Sequence, residues 1–163
     1  MGSLSGLVGT VLMTQFQNMW NKASQSAKPQ QQEDKSKQSE QEDEDSTMKT
    51  AGKIAEAAGH ELSRDQRKKG GLWVHYGYGT IIGGIFGLIR ESAPQSLRRV
   101  NPVLSGAGYG TAAFIGGHEL AVPALKLSGN PLKVPPADQA AEFFAHLIYG
   151  VGTALTYELV RKV

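Results

Sequence analysis

Three apolar stretches in the second half of the chain are each about as long as a membrane is thick. They predict helices at 72–90, 103–126 and 139–161, the second of them bent near its end by Pro123. About 20 apolar residues in a helix cross the ~30 Å hydrocarbon layer. A weaker apolar stretch at 3–20 becomes polar near its end, so it is either a fourth span or a helix lying in the interface. The pattern predicts an all-α fold, a four-helix polytopic membrane bundle.

The segment between the first and second apolar stretches is polar. It is rich in Gln, Ser, Lys, Glu and Asp, and such a segment buries too little apolar surface to offset the entropy of ordering it. Beyond it, alanine and aliphatic residues recur at three- and four-residue spacing, which predicts a short amphipathic helix that Gly70 and Gly71 end. The predicted units are transmembrane helix 1 at 1–22, a disordered acidic linker at 23–47, the amphipathic helix at 48–70 and a three-helix transmembrane core at 71–163.

The composition excludes several classes of protein. The chain has no cysteine, which rules out disulfides, thiolate catalysis and cysteine-ligated metal centres. Its net charge of +2 gives no reason to expect nucleic acid as a partner. The mean hydropathy of −0.29 averages a polar segment with an apolar one, and so does not indicate a water-soluble protein. No GxSxG or HExxH pattern is present, which argues against an enzyme, and no cofactor is expected.

Glycines in the apolar stretches fall on single helix faces. Gly79, Gly83 and Gly87 are four residues apart, and Gly106 and Gly110 repeat this spacing. In lipid such faces let helix backbones approach closely and gain dispersion contacts. We therefore predict that these five residues are helix-packing positions, either within one chain or between two copies.

Histidines and carboxylates lie in the same stretches. If all four helices span, the candidates fall near one membrane interface, on the same side as the polar end of the first helix: His75, His118, Glu119, Glu142 and His146. Glu142 and His146 are four residues apart, so they share a helix face and can hydrogen-bond. His118 and Glu119 are adjacent and point about 100° apart on an α-helix, so we expect them to contact different neighbours.

Three hypotheses compete for this polar cluster. Ionisable groups inside a membrane are expensive and often mark proton, ion or solute pathways. The same groups can instead join helices by hydrogen bonds in a structural or accessory membrane subunit. The third hypothesis is a metal site, for which His75, His118 and His146 are weak candidates because imidazole suits Zn, Mn and Fe.

The chain resembles a known family in three phrases, HYGYGTIIGGIFGLI, GHELAVPALKL and HLIYGVGTALTYEL, which follow a short N-terminal apolar stretch. In this it is similar to the uncharacterised YagU-like bacterial inner-membrane proteins. The likeness covers roughly 72–160 and, more loosely, the first stretch; the acidic linker departs from it. The resemblance implies a multi-pass protein of the bacterial inner membrane, and it supplies no catalytic residues.

Basic residues near the predicted spans indicate an orientation, because lysine and arginine favour the cytoplasmic side. The side that carries the two polar loops has Lys22, Lys28, Arg67, Lys68, Lys69, Lys126 and Lys133, against Arg90, Arg98, Arg99, Arg161 and Lys162 on the other. This small excess favours cytoplasmic loops and periplasmic termini. The expected partners are the lipid bilayer and either a second copy of the chain or other membrane subunits.

Overall fold

The computed structural model describes residues 1–27, 44–127 and 134–162, and this part of the chain is helical with no strand. The prediction of an all-α fold is therefore confirmed. The helices are α1 (Gly2–Ala27), α2 (Ser46–Ala57), α3 (Arg64–Ser92), α4 (Gln95–Arg98), α5 (Pro102–Ala113), a π-helical segment (Phe114–Ala121), α6 (Val122–Ala124) and α7 (Pro136–Val160).

The long helices pack as antiparallel neighbours. Helix α1 lies against both α3 and α7, while α5 packs against α7 and the short α2 packs against α3. The start of α1 faces the end of α3, where Gly2 lies beside Gly87. Its polar half faces the start of α7, where Gln17 reaches Glu142. As a consequence, the polar end of α1 and the starts of α3 and α7 lie at one end of the molecule.

Local capping residues fix where the helices begin. The carboxylate of Asp45 accepts hydrogen bonds from the backbone N–H groups of Thr47 and Met48, which starts α2. A reciprocal capping box between Ser63 and Gln66 starts α3. Because this cap lies upstream of the apolar stretch, α3 begins in a basic segment rather than at the first apolar residue.

Several predicted boundaries differ from the structure. Helix α1 continues to Ala27, five residues beyond the predicted end at 22, and α2 ends at Ala57 instead of reaching 70. Gly70 and Gly71 do not break the chain, since α3 runs through them. These glycines lie under α2, where a Cβ on Gly70 would be 2.8 Å from the Ala51 side chain, so they serve packing. The described ends of the predicted linker are mostly helical; its residues 28–43 and the turn residues 128–133 lie outside the described part.

The third predicted helix is not a continuous α-helix. It is α-helical to Ala113, π-helical over Phe114–Ala121 and briefly α-helical again. The N–H of Val122 bonds to the carbonyl of Gly117, five residues back. Pro123 was expected to bend the helix, and the distortion lies just before it, in a segment that contains the flexible pair Gly116-Gly117.

The interior combines small residues with a few aromatic ones such as Phe86 and Tyr157, and many large apolar side chains lie on the surface. Ser5, Thr153 and Ala145 are fully buried. By contrast, the exposed fraction of the side chain is 80% for Trp73 and 70% for Leu88. Exposed apolar surface of this extent is unusual in a water-soluble protein.

Two described helices, α3 and α7, are long and apolar enough to cross a membrane, with mean hydropathies of 1.3 and 1.2 in their best windows. Sequence reasoning predicted four such spans. The third is divided by the π-helical segment into pieces too short to qualify, and α1 turns polar at Gln15.

Candidate functional site

Glycine contacts set the distance between α1 and α3, and thereby the position of the polar groups further along both helices. A Cβ on Gly83 would lie 2.6 Å from the backbone nitrogen of Gly6 and 2.8 Å from the carbonyl oxygen of Gly2. Gly79 faces Thr10, and Gly87 would place a Cβ 2.9 Å from the Cα of Gly2. All three glycines on this predicted face therefore lie in the contact between α1 and α3.

The second predicted glycine face lies between α5 and α7. A Cβ on Gly106 would be 2.6 Å from the carbonyl oxygen of Gly150, and one on Gly110 would overlap the backbone of His146. Two tyrosines add cross-helix hydrogen bonds that sequence reasoning missed. The hydroxyl of Tyr149 donates to the carbonyl of Gly79 at 2.8 Å, and that of Tyr109 donates to the carbonyl of Ile82 at 2.6 Å.

His75 lies between α1 and α3, where it meets a residue that the sequence did not single out. Its Nε2 is 3.2 Å from the hydroxyl oxygen of Thr14. That hydroxyl already donates its only proton to the carbonyl of Thr10 at 2.9 Å. The Thr14 oxygen can therefore only accept from His75, which places the imidazole proton on Nε2 and leaves Nδ1 as the basic nitrogen.

Glu142 joins α7 to α1. Both of its carboxylate oxygens accept from the amide nitrogen of Gln17, at 3.3 and 3.2 Å. The predicted pairing of Glu142 with His146 exists, but through the backbone: His146 Nδ1 lies 2.8 Å from the Glu142 carbonyl oxygen. A carbonyl oxygen can only accept, so His146 carries its proton on Nδ1 and its Nε2 is the basic nitrogen.

His118 and Glu119 contact each other, which corrects the expectation that they contact different neighbours. His118 Nδ1 is 2.9 Å from Glu119 Oε1, and the other carboxylate oxygen accepts from the amide of Gln139 at 3.1 Å. The expectation assumed α-helical geometry, whereas both residues lie in the π-helical segment, in which successive side chains are closer in angle. Gln139, at the start of α7, was missed because its role depends on this local geometry.

Aromatic contacts connect two histidines, His118 of the π-helical segment and His146 of α7. The rings of His118 and His146 are 5.9 Å apart, and the ring of Phe114 lies 5.3 Å from the first and 5.4 Å from the second. Four of the predicted residues thus form one network with Gln17 and Gln139, which we call the His/Glu network: Glu119, His118, His146 and Glu142. His75 is held separately by Thr14, and its ring lies edge-on to that of Tyr76.

Within residues 1–27, 44–127 and 134–162, no three His, Asp or Glu side chains are placed to share an ion. Each of the three predicted histidines, His75, His118 and His146, has one nitrogen directed at a hydroxyl, a carboxylate or a carbonyl of the chain itself. These contacts fix the tautomer of each imidazole and leave its other nitrogen as the basic one.

A second charged network occupies the opposite end of the same helices. The guanidinium of Arg90, which is 7% exposed, contacts Glu158 at 2.7 Å and the carbonyls of Leu97 and Arg98 at 3.1 Å each. Glu158 is also held by Arg161 at 2.8 Å. The sequence signal for this pair was two opposite charges at the C-terminal ends of helices that run in parallel.

No family model, curated protein or solved structure matches this chain. The interpretation of its function therefore depends on its own geometry.

Proposed function

We propose that the chain is a multi-pass protein of the bacterial inner membrane, in which α1, α3, the α5–α6 segment and α7 all cross the bilayer. The exposed apolar surface supports this: large side chains such as Trp73 and Leu88 face outward, whereas polar Ser5 and Thr153 are buried. Lipid removes the penalty for the exposed apolar surface and rewards close packing of small residues. The resemblance to YagU-like proteins points to the same membrane.

Its function, in this proposal, is to handle protons, ions or a small solute at one membrane face. The observation that carries it is the His/Glu network, which joins α1, the π-helical segment and α7 through Gln17, Glu142 and Glu119. π-Helical segments occur frequently at functional sites. Two imidazoles with fixed tautomers lie beside these carboxylates, so that a proton entering from that face finds basic nitrogen and oxygen atoms within one cluster.

The other half of the molecule favours a second candidate, a non-catalytic accessory subunit. There α1 meets α3 through direct backbone contacts at Gly2, Gly6 and Gly83. Helices this close leave no room between them for a polar passage across the membrane. A proton, ion or solute bound at the His/Glu network could therefore cross only if the helices changed their packing or a partner subunit supplied the passage. In the accessory role the His/Glu network would only hold the helices together.

Reconstitution into liposomes separates the two candidates. Under a pH gradient, Glu119→Gln should abolish proton flux, because the carboxylate next to His118 can no longer take up a proton. Glu56→Gln, an exposed carboxylate on α2, is the matched control and should leave flux unchanged. Undiminished flux in both variants would reject the proposal that the His/Glu network handles the protons. No flux in the unaltered protein, together with a lower melting temperature of Glu119→Gln in detergent, would favour the accessory subunit.

A further inference from the structure

A groove lies at the end of the molecule opposite the His/Glu network. It has a volume of about 760 Å³ and is bordered by the beginning of α1, by the last turns of α3 and by Tyr157 of α7. Its walls are apolar, with Ile81, Ile85 and Leu88 along one side. The last two of these side chains are 42% and 70% exposed, so they have no protein partner that would exclude a ligand.

The groove ends at a carboxylate. Tyr157 is buried, and its hydroxyl donates to Oε1 of Glu91. The other carboxylate oxygen of Glu91 makes no hydrogen bond within the described part of the chain, and the residue is exposed at the groove. The groove therefore combines a long apolar wall with one anionic acceptor, which is held in place by a fixed hydroxyl group.

Its length fits one leaflet of a bilayer. From Ile81 to Glu91 the helix rises about 15 Å, at 1.5 Å per residue. Half of the ~30 Å hydrocarbon layer is also about 15 Å. A ligand with its polar group at Glu91 would thus extend its apolar part to about the middle of the membrane.

Basic side chains lie at the same end. Arg90 binds the carbonyls of Leu97 and Arg98, which ties the short α4 to the end of α3. The side chains of Arg98 and Arg99 are exposed there. Arginine is well suited to bind phosphate, and a carboxylate is well suited to bind an ammonium group.

We propose that this groove binds a phospholipid whose headgroup carries a primary ammonium group. The proposal depends on the membrane location proposed above. The ammonium donates to Glu91, the exposed Arg98 and Arg99 neutralise the phosphate, and one acyl chain lies along α3. A choline headgroup has the same charge but no N–H to donate, and a glycerol headgroup has no cation. The site should therefore distinguish these three lipids.

Native mass spectrometry of the full chain in detergent tests this. The probes are phosphatidylethanolamine, phosphatidylcholine and phosphatidylglycerol with identical acyl chains. We expect about tenfold tighter binding of phosphatidylethanolamine than of phosphatidylcholine, as a charged hydrogen bond would give. Equal affinity for these two lipids in the unaltered protein would overturn the proposal, whatever the variants do.

The variant Glu91→Gln keeps an acceptor for Tyr157 and so should fold, but its preference for the ethanolamine lipid should fall to about onefold, since the ionic part of the bond is lost. Retention of the full preference would also overturn the proposal. Glu61→Gln, outside the groove, is the control and should keep the preference. Extraction of membranes at alkaline pH is run in parallel. A chain released by it would reject the membrane location itself, whereas a retained chain without lipid preference would reject only this site.

Discussion

Gly83 and Gly77 both lie on α3, but a methyl group added at Gly83 would be crowded by α1, whereas one added at Gly77 would point into open space. On Gly83 it would lie 2.6 Å from a backbone atom of Gly6, whereas on Gly77 it would meet nothing within 4 Å. We therefore expect Gly83→Ala to force α1 away from α3 and to lower the free energy of unfolding by about 1–3 kcal/mol, as overpacking does. The measurement is thermal denaturation in detergent.

The control is Gly77→Ala, which should be neutral or slightly stabilising because alanine favours helix over glycine by about 1 kcal/mol. A Gly83→Ala protein as stable as the Gly77→Ala protein would show that α1 is not packed against α3 as described.

The sequence allowed part of this residue-scale description to be predicted. Spacing of four places Gly79 and Gly83 on one face in any helix, so their shared role followed from geometry alone. The partners of the histidines did not follow. Thr14 holds His75 only because α1 and α3 meet in one register, and spacing within a single helix says nothing about the register between two.

At the scale of elements, α2 depends on two glycines of α3. Met48, Ala51 and Gly52 form its buried face. A Cβ on Gly71 would lie 2.9 Å from the Thr47 hydroxyl and 3.1 Å from the Met48 backbone nitrogen. We expect Gly71→Leu to displace α2 and to speed tryptic cleavage at Lys49 and Lys53 about tenfold in detergent, because a docked helix must open locally before it is cut.

Gly77→Leu is the control for a bulky substitution in α3, at a position where an added Cβ meets nothing within 4 Å, and it should leave the cleavage rate unchanged. Unchanged cleavage in Gly71→Leu as well would mean that α2 does not need this contact.

Element boundaries were the least predictable feature, and the reasons are specific. Gly70 and Gly71 were interpreted as a helix break from their conformational freedom, but tertiary contact with α2 uses them as small residues instead. The π-helical segment was missed because the hydrophobic pattern around Phe114 also fits an α-helix. The geometry of that segment brings His118 and Glu119 into contact. Because an α-helix was predicted there, the partners of these two residues were predicted wrongly as well.

At the scale of the whole molecule, the helical fold was predictable because long apolar stretches of about 20 residues indicate helices without any knowledge of how these pack. The positions of the helices relative to one another could not be predicted from their lengths, and the structure provides them. It places α1 between α3 and α7, and it puts the His/Glu network and the Arg90–Glu158 pair at opposite ends. In the membrane location proposed above, each of these polar groups would lie near one aqueous face.

The absence of cysteine from the sequence makes this topology directly testable. A single cysteine can be placed before α3 by Glu61→Cys, between α3 and α5 by Ser96→Cys, or after α7 by Lys162→Cys. If α3 spans the membrane and the excess of basic residues sets the orientation, a membrane-impermeant maleimide added to spheroplasts should label the second and third variants, and the first only after permeabilisation.

The labelling pattern distinguishes whether α3 crosses the membrane from which side of the membrane its ends face. The reverse labelling pattern would keep the spans and invert the orientation, which is plausible on charge alone because the basic residues are nearly balanced between the two sides. Equal labelling of Glu61→Cys and Ser96→Cys without permeabilisation would mean that α3 does not cross. Trp73 and Leu88 would then face water, and their exposed surface would need a protein partner in place of lipid.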